Sequence, residues 1–108
     1  MKWYDPLYVG ESISGKENRF KWKIEHNRLT LSIYVIAFAS NPDNLLDLIP
    51  AKELLQPGYP KKELHIIGLA KGYEEAVDQT VRIIDEVYKK TGTVDVRQYL
   101  GQVRRDDT

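Results

Sequence analysis

Residues 63–92 read ELHIIGLAKGYEEAVDQTVRIIDEVYKKTG, and this stretch joins a short apolar run to a long amphipathic pattern. From Tyr73 onward, the less polar residues recur at the three- and four-residue spacing of a helix that buries one face. Acidic residues in the first turn and lysines in the last turn match the helix dipole, and Gly92 is the expected left-handed residue that ends the helix. The predicted buried stripe comprises Tyr73, Ala76, Val77, Thr80, Val81, Ile84, Val87 and Tyr88, with Ile83 at its margin.

The apolar run before this helix, residues 64–69, is typical of a buried strand. Gly68 and Gly72 frame the connection, but their spacing is neither that of a P-loop nor that of a dinucleotide-binding fingerprint. The two glutamates at 74 and 75 also place negative charge where a bound anion would lie. We therefore interpret the glycines as allowing a turn and close packing, with Lys71 the one residue that could favour an anion.

Length and composition indicate one globular domain in residues 1–108. The chain has 42% apolar and 30% charged residues, and 16 basic residues balance 16 acidic ones, so no net charge draws it towards nucleic acid or an anionic membrane. The absence of cysteine excludes disulfides, thiolate zinc sites and cysteine nucleophiles. No signal peptide or membrane-spanning run is evident, which predicts a cytoplasmic protein without membrane contact.

Three more strands are predicted before the strand at 64–69. Residues 7–13 form the first, residues 19–26 alternate between aromatic or apolar and charged side chains, and residues 29–39 form the longest β-prone run. Residues 42–48 are predicted to form a short helix and residues 51–56 a further helical turn. After Gly92, residues 93–100 are predicted to add one or two helical turns, and residues 101–108 to form a frayed tail.

The predicted fold class is α+β. A single four-stranded sheet contains a three-strand antiparallel meander and one strand after a short helical crossover, and the long helix covers one face. The run at 29–39 is the central strand. The direction of the fourth strand relative to its neighbour and the cover of the second face stay open.

No catalytic or metal-binding constellation is found. His26 and His65 are the only histidines and have no metal-ligand spacing, and no serine has an acyl-enzyme context. We therefore predict no catalytic residues, no metal and no cofactor, and an interpretation as a non-enzyme is favoured. A crevice where the central strand ends is the one candidate ligand site. Its predicted residues are Asn41, Asp43, His65, Lys71 and Tyr73.

Aromatic residues favour a protein partner, because two Trp, two Phe and seven Tyr exceed what one helix on one sheet hides readily. Those in loops, edges or termini are predicted to serve an interface, namely Trp3, Tyr4, Tyr8, Tyr59 and Tyr99. A basic strand with Lys21 and Lys23 suggests RNA contact, but Phe20 and Trp22 would alternate onto the opposite face, which makes nucleic acid unlikely.

The segments SNPDNLLDLIPAKELL, HIIGLAKGYEEAV and TGTVDVRQYL resemble a family of small uncharacterised proteins from clostridia and related bacteria. The resemblance runs over most of the chain and implies a compact bacterial cytoplasmic domain. It implies no activity, cofactor or functional residue.

Three functional hypotheses follow. The first is a non-enzymatic interaction or regulatory module that self-associates, most simply as a homodimer. The second is a small-molecule-binding protein or minor enzyme that uses the crevice. The third and weakest is an RNA-contacting accessory protein.

Overall fold

A computed structural model describes residues 1–41, 43–103 and 105–106, with residues 102, 103, 105 and 106 described only through their backbone. Three short 3-10 helices connect the elements, the longest being Ala51–Leu55. The strands and α-helices, in chain order, are β1 (Lys2–Val9), α1 (Glu17–Glu25), β2 (Ile33–Phe38), β3 (Leu46–Pro50), β4 (His65–Lys71), α2 (Tyr73–Thr91), α3 (Val96–Val103) and β5 (Arg105–Asp106).

The strands form one mixed sheet in the order β3-β2-β4-β1, and the two-residue β5 pairs with the outer edge of β1. β2 runs antiparallel to both β3 and β4, whereas β1 and β4 are parallel. The two central strands, IYVIAF and HIIGLAK, are apolar on both faces. Strands of this composition require both faces of the sheet to be covered.

Helices cover both faces of the sheet. α2 and α3 pack on one face, where Ile83, Val87 and Leu100 meet Ile36 and Ile67. On the other face, α1 and the 3-10 helices bring Ile13, Ile24 and Leu54 against residues from all four principal strands. The single four-stranded sheet with the long helix on one face is therefore confirmed, and the face left open by the sequence is covered by the segments around α1.

The predicted strand at residues 19–26 is wrong, because this segment forms helix α1. Phe20 and Ile24 satisfy an alternating pattern, but their four-residue spacing equally places both on one face of a helix. In the structure Ile24 is buried and Phe20 is partly buried, while Trp22 is 49% exposed. The lysines and Trp22 that a strand would separate therefore share one short helix.

The predicted meander is also wrong, because its second strand is helix α1 and its first strand pairs in parallel with β4. The first strand is β1, five residues earlier than predicted, and residues 46–50 form edge strand β3 instead of ending a helix. The central strand is confirmed as β2, although residues 29–32 lie outside it. The helical turn predicted at 51–56 is confirmed as Ala51–Leu55. The predicted helix start, Pro42, lies outside the described residues.

The described residues of the predicted frayed tail, 101–103 and 105–106, lie in regular secondary structure. Residues 101–103 complete α3, and 105–106 pair with Tyr4 and Asp5 of β1.

α2 is confirmed from Tyr73 to Thr91, and Gly92 ends it in the left-handed conformation. Its rotation differs from the prediction. The arc that faces the sheet is centred on Ala76, Ile83 and Val87, all fully buried. In contrast, Tyr73, Val81 and Tyr88 of the predicted stripe are 61%, 60% and 58% exposed.

The rotation of α2 has a cause in β1 and in the segment after it. Tyr8 of β1 donates its hydroxyl proton to Glu86 at 2.6 Å, and Ser12 donates its hydroxyl proton to Glu75 at 2.8 Å. These contacts draw the polar flank of α2 towards β1, so the opposite flank tilts away from the sheet. No helix within the described ranges is long and apolar enough to cross a membrane.

Candidate functional site

The end of the sheet where β2 finishes contains a hollow of about 350 Å³. Strands β2, β3 and β4, the loop before β4 and the first turn of α3 all contribute to it. We call it the Arg97 hollow. Its polar and aromatic lining residues are Phe38, Ser40, Asp47, Tyr59, Glu63, His65 and Arg97.

Two opposite charges in the hollow are fixed to neighbouring backbone groups. Arg97 donates from Nη2 to the carbonyl oxygen of Ala39 at 2.5 Å, and Asp47 accepts from the backbone N–H of Ser40 at 3.2 Å. The Ala39 carbonyl and the Ser40 N–H belong to one peptide group, and a trans peptide points them in opposite directions. Arg97 and Asp47 therefore approach this peptide group from opposite sides, and neither forms an ion pair within the part of the chain described here.

An aromatic cluster forms the wall beside these charges. The guanidinium carbon of Arg97 lies 5.1 Å from the centre of the Phe38 ring, within cation–π range. Tyr4 meets Phe38 edge to face at 5.3 Å, and its hydroxyl lies 3.5 Å from His65 Nδ1. The rings of Phe38 and His65 lie 6.1 Å apart. Thus three strands, β1, β2 and β4, orient one wall of the hollow.

Tyr59 supplies a hydroxyl from the loop before β4. Burial and the negative charges of Glu53 and Asp47 raise the pKa of Tyr59 above its ordinary value. The phenol therefore keeps its proton throughout the physiological pH range and can donate a hydrogen bond.

The predicted crevice residues are split between the two ends of the sheet. His65 lines the Arg97 hollow, and Asn41 lines an adjoining hollow of about 370 Å³ that shares Arg97. Lys71 and Tyr73 lie at the far end, because β2 and β4 are antiparallel and Lys71 pairs with Ile33 at the beginning of β2. The predicted five-residue site is therefore not a single site.

Asn41 and Asp43 are engaged in a local turn. The side-chain oxygen of Asn41 accepts from the backbone N–H of Asp43 at 2.9 Å. This bond is the turn role that residues of this type commonly play.

Sequence reasoning missed Arg97, Asp47 and Phe38. Arg97 falls in the helical turns predicted at 93–100 and Asp47 in the helix predicted at 42–48, so no sequence pattern links either residue to the end of β2. A lone arginine carries no motif, and only the docking of α3 beside Ala39 brings it into the hollow. Among the described residues no group of three or more side chains is suited to a metal ion.

Of the five predicted interface aromatics, four are partly buried and one is fully buried. Trp3 is 2% exposed and belongs to the core on the α1 face, so its prediction as a partner contact is wrong. Tyr4, Tyr8 and Tyr99 pack against the core on the α2 face, and Tyr59 lines the hollow.

Three exposed aromatic and apolar side chains instead lie along α2. Tyr73, Val81 and Tyr88 follow one another along the side of the helix away from β1, with Val77 and Ile84 partly buried beside them. We call these five residues the α2 stripe. Tyr73 meets Tyr34 edge to face at 5.9 Å, and partly buried Leu46 and Leu48 of β3 lie on the same side of the sheet. The stripe therefore continues an apolar surface from α2 towards the edge strand.

A second exposed aromatic lies on α1. Trp22 stacks on His26 at 4.2 Å with ring planes 19° apart, and the Arg28 guanidinium lies 6.0 Å from the Trp22 ring. The predicted separation of aromatics from basic residues therefore does not hold here, although the balanced net charge still argues against nucleic acid. RNA contact stays an untested prediction.

Comparison with protein-family models, with curated proteins and with solved structures found no match.

Proposed function

We propose that this protein is a non-enzymatic interaction module that pairs with a second copy of itself through the α2 stripe. The observation that carries this proposal is the exposure of Tyr73, Val81 and Tyr88 on one side of a helix whose adjoining side forms the core. Contiguous exposed apolar surface of this kind marks interaction sites in folded proteins. A regulatory role would then act through the monomer–dimer balance.

The spacing of the stripe suits a second copy. Tyr73 lies eight residues before Val81, and Tyr88 lies seven residues after it. Two antiparallel copies of α2 related by a two-fold axis near Val81 would place Tyr73 of each helix beside Tyr88 of the other. Symmetric dimers use such self-complementary surfaces, in which the same patch serves both chains.

Helix packing suits this interface better than strand pairing. β3 is an edge strand, but it has only five residues and ends at Pro50, which cannot donate a backbone hydrogen bond. α2 is longer, at 19 residues or about 28 Å. An interface centred on five apolar side chains is near the lower end of specific interface sizes, so we expect association in the micromolar range.

Sedimentation velocity over a range of protein concentrations tests the proposal. Val81→Glu should abolish association, because it places two carboxylates against each other at the symmetry axis. Val81 is mostly exposed, so this change should leave the folded chain intact, as thermal melting can verify.

Leu29→Glu is the matched control, since Leu29 is 59% exposed but lies outside the α2 stripe. It should leave association unchanged. A wild-type chain that stays monomeric up to about 1 mM would contradict the proposal, as would equal weakening by the two substitutions.

A further inference from the structure

We propose that the Arg97 hollow binds a small zwitterion of the α-amino-acid class, with the ligand carboxylate on Arg97 and its ammonium group between Asp47 and Glu63. This inference is independent of self-association, because the hollow and the α2 stripe share no residues.

The Arg97 guanidinium has binding capacity to spare. It carries five N–H donors, and the bond to Ala39 uses one of them. Its contact with the Phe38 ring holds the planar group in place without satisfying those donors. A fixed guanidinium with free donors is suited to bidentate binding of a carboxylate.

Acceptors for an ammonium group lie in the same hollow. Asp47 uses one carboxylate oxygen to accept from Ser40, and the Glu63 carboxylate has no hydrogen-bond or ion-pair partner in the described parts of the chain. Because Arg97 and Asp47 line one hollow from opposite sides of a peptide group without touching, a ligand that carries a carboxylate and an ammonium group on the same carbon could bridge them.

Charge and size exclude other simple ligand classes. A phosphate or dicarboxylate would meet the repulsion of Asp47 and Glu63, and a simple cation would meet that of Arg97. At about 350 Å³ the hollow is near the lower limit of small-molecule sites, which suits a ligand of amino-acid size. Phe38, Tyr59 and Ile49 line it with aromatic and aliphatic surface, so an apolar ligand side chain is expected.

Binding to the full chain can be measured with L-phenylalanine, L-leucine, phenethylamine and 3-phenylpropionate as probes. Amide chemical shifts in a ¹⁵N-labelled sample report both affinity and location. At least one of the two amino acids should shift Ala39, Ser40 and His65 in a saturable manner below about 10 mM. The two phenyl compounds that lack one charge should each bind at least about tenfold more weakly than L-phenylalanine.

Two substitutions probe the charges separately. Asp47→Asn keeps an acceptor for the Ser40 N–H, and Arg97→Lys keeps the positive charge but loses the planar fork, so both chains should fold. Each should weaken amino-acid binding about tenfold or more. Arg82→Lys, an exposed arginine of α2 far from the hollow, is the matched control and should bind as the wild type does.

Equal binding of amino acids and their singly charged analogues would overturn the proposal, and so would shifts confined to other parts of the chain. Absence of saturable shifts for both amino acids up to about 10 mM would also overturn it. Val81→Glu should bind the amino acid as the wild type does. The ligand-binding test can therefore be interpreted even if the protein does not self-associate.

Discussion

At the scale of single residues, the contact between Gly10 and Glu75 joins the two halves of the chain. The Glu75 carboxylate accepts from the backbone N–H groups of Lys71 and Ser12 and from the Ser12 hydroxyl. It lies where a Cβ at position 10 would be, so only glycine leaves room for it. One side chain thereby ties the segment after β1 to the turn between β4 and α2.

Gly10→Ala should lower the free energy of unfolding by about 1 kcal/mol, because the added methyl group displaces the Glu75 carboxylate from its donors. Gly10 has an ordinary φ of −63°, so alanine is not strained there. In a Glu75→Ala background the same substitution should therefore be neutral or slightly stabilising. Urea denaturation of the two single variants and the double variant measures this coupling, and additive effects would contradict it.

Glu75 should also make stability depend on pH. Partial burial acts to raise the pKa of Glu75, but the hydrogen bonds from Lys71 and Ser12, with the Lys71 charge, lower it below its ordinary value. The carboxylate therefore stabilises the fold fully above the unfolded-state pKa of about 4.3, and this contribution is lost as pH falls through the lower folded-state pKa.

Glu75→Gln should accordingly be less stable than wild type at neutral pH and approach wild-type stability in acid. Chemical denaturation of both chains at pH 7 and at about pH 3 would show the difference shrinking. A difference that is the same at both pH values would show that the charge of Glu75 does not matter.

At the scale of secondary-structure elements, α2 faces the sheet with a different arc from the one predicted. Val87 is fully buried whereas Val81 is 60% exposed, although both belong to the predicted stripe. Val87→Ala should therefore lower the free energy of unfolding by about 1 to 2 kcal/mol, and Val81→Ala should change it by less than about 0.5 kcal/mol. Thermal or urea denaturation of the two variants, below the concentration at which wild type associates, tests the helix rotation directly. Equal losses would mean that the predicted rotation was right.

α1 shows the limit of pattern reading in a short segment. In residues 17–25 only Ile24, which is buried, and Phe20, which is partly buried, pack against the core. Two such positions fit both a two-residue and a 3.6-residue period. α2 has 19 residues, enough for the helical period to exclude a strand.

At the scale of the whole molecule, self-association should strengthen as the salt concentration rises. The outer flank of the α2 stripe carries Glu74, Asp78 and Asp85, and its lysine, Lys89, already pairs with Asp85 at 2.9 Å. A symmetric antiparallel pair of α2 helices would bring these acidic flanks together. Salt screens such repulsion, so the dimer should tighten between about 50 mM and 500 mM sodium chloride.

Sedimentation velocity or small-angle scattering at fixed protein concentration can follow this effect. The single chain has a radius of gyration of 13.1 Å, so a growing dimer population raises the measured value. Weaker association at high salt would indicate that the acidic flank meets a basic surface instead.

The candidate site is where sequence and structure differ most. The sequence places Asn41 and His65 near the end of the central strand, but it predicts Lys71 and Tyr73 in the same crevice because it leaves the direction of β4 open. Antiparallel pairing with β2 sends those two residues to the other end of the sheet. Arg97 and Asp47 enter the hollow only through the docking of α3 and the placement of β3, which no local pattern encodes.

The sequence by itself determined the features that depend on local periodicity and composition: β4 followed by α2, the apolar central strand, one sheet of four strands and the balanced charge. Only the tertiary structure decided the direction and order of the strands, the rotation of α2, the cover of the second face and the convergence of Arg97 with Asp47. The physical reason is the range of the interactions. Helix and strand periods are set by neighbouring residues, whereas strand partners and side-chain clusters are set by contacts between residues tens of positions apart.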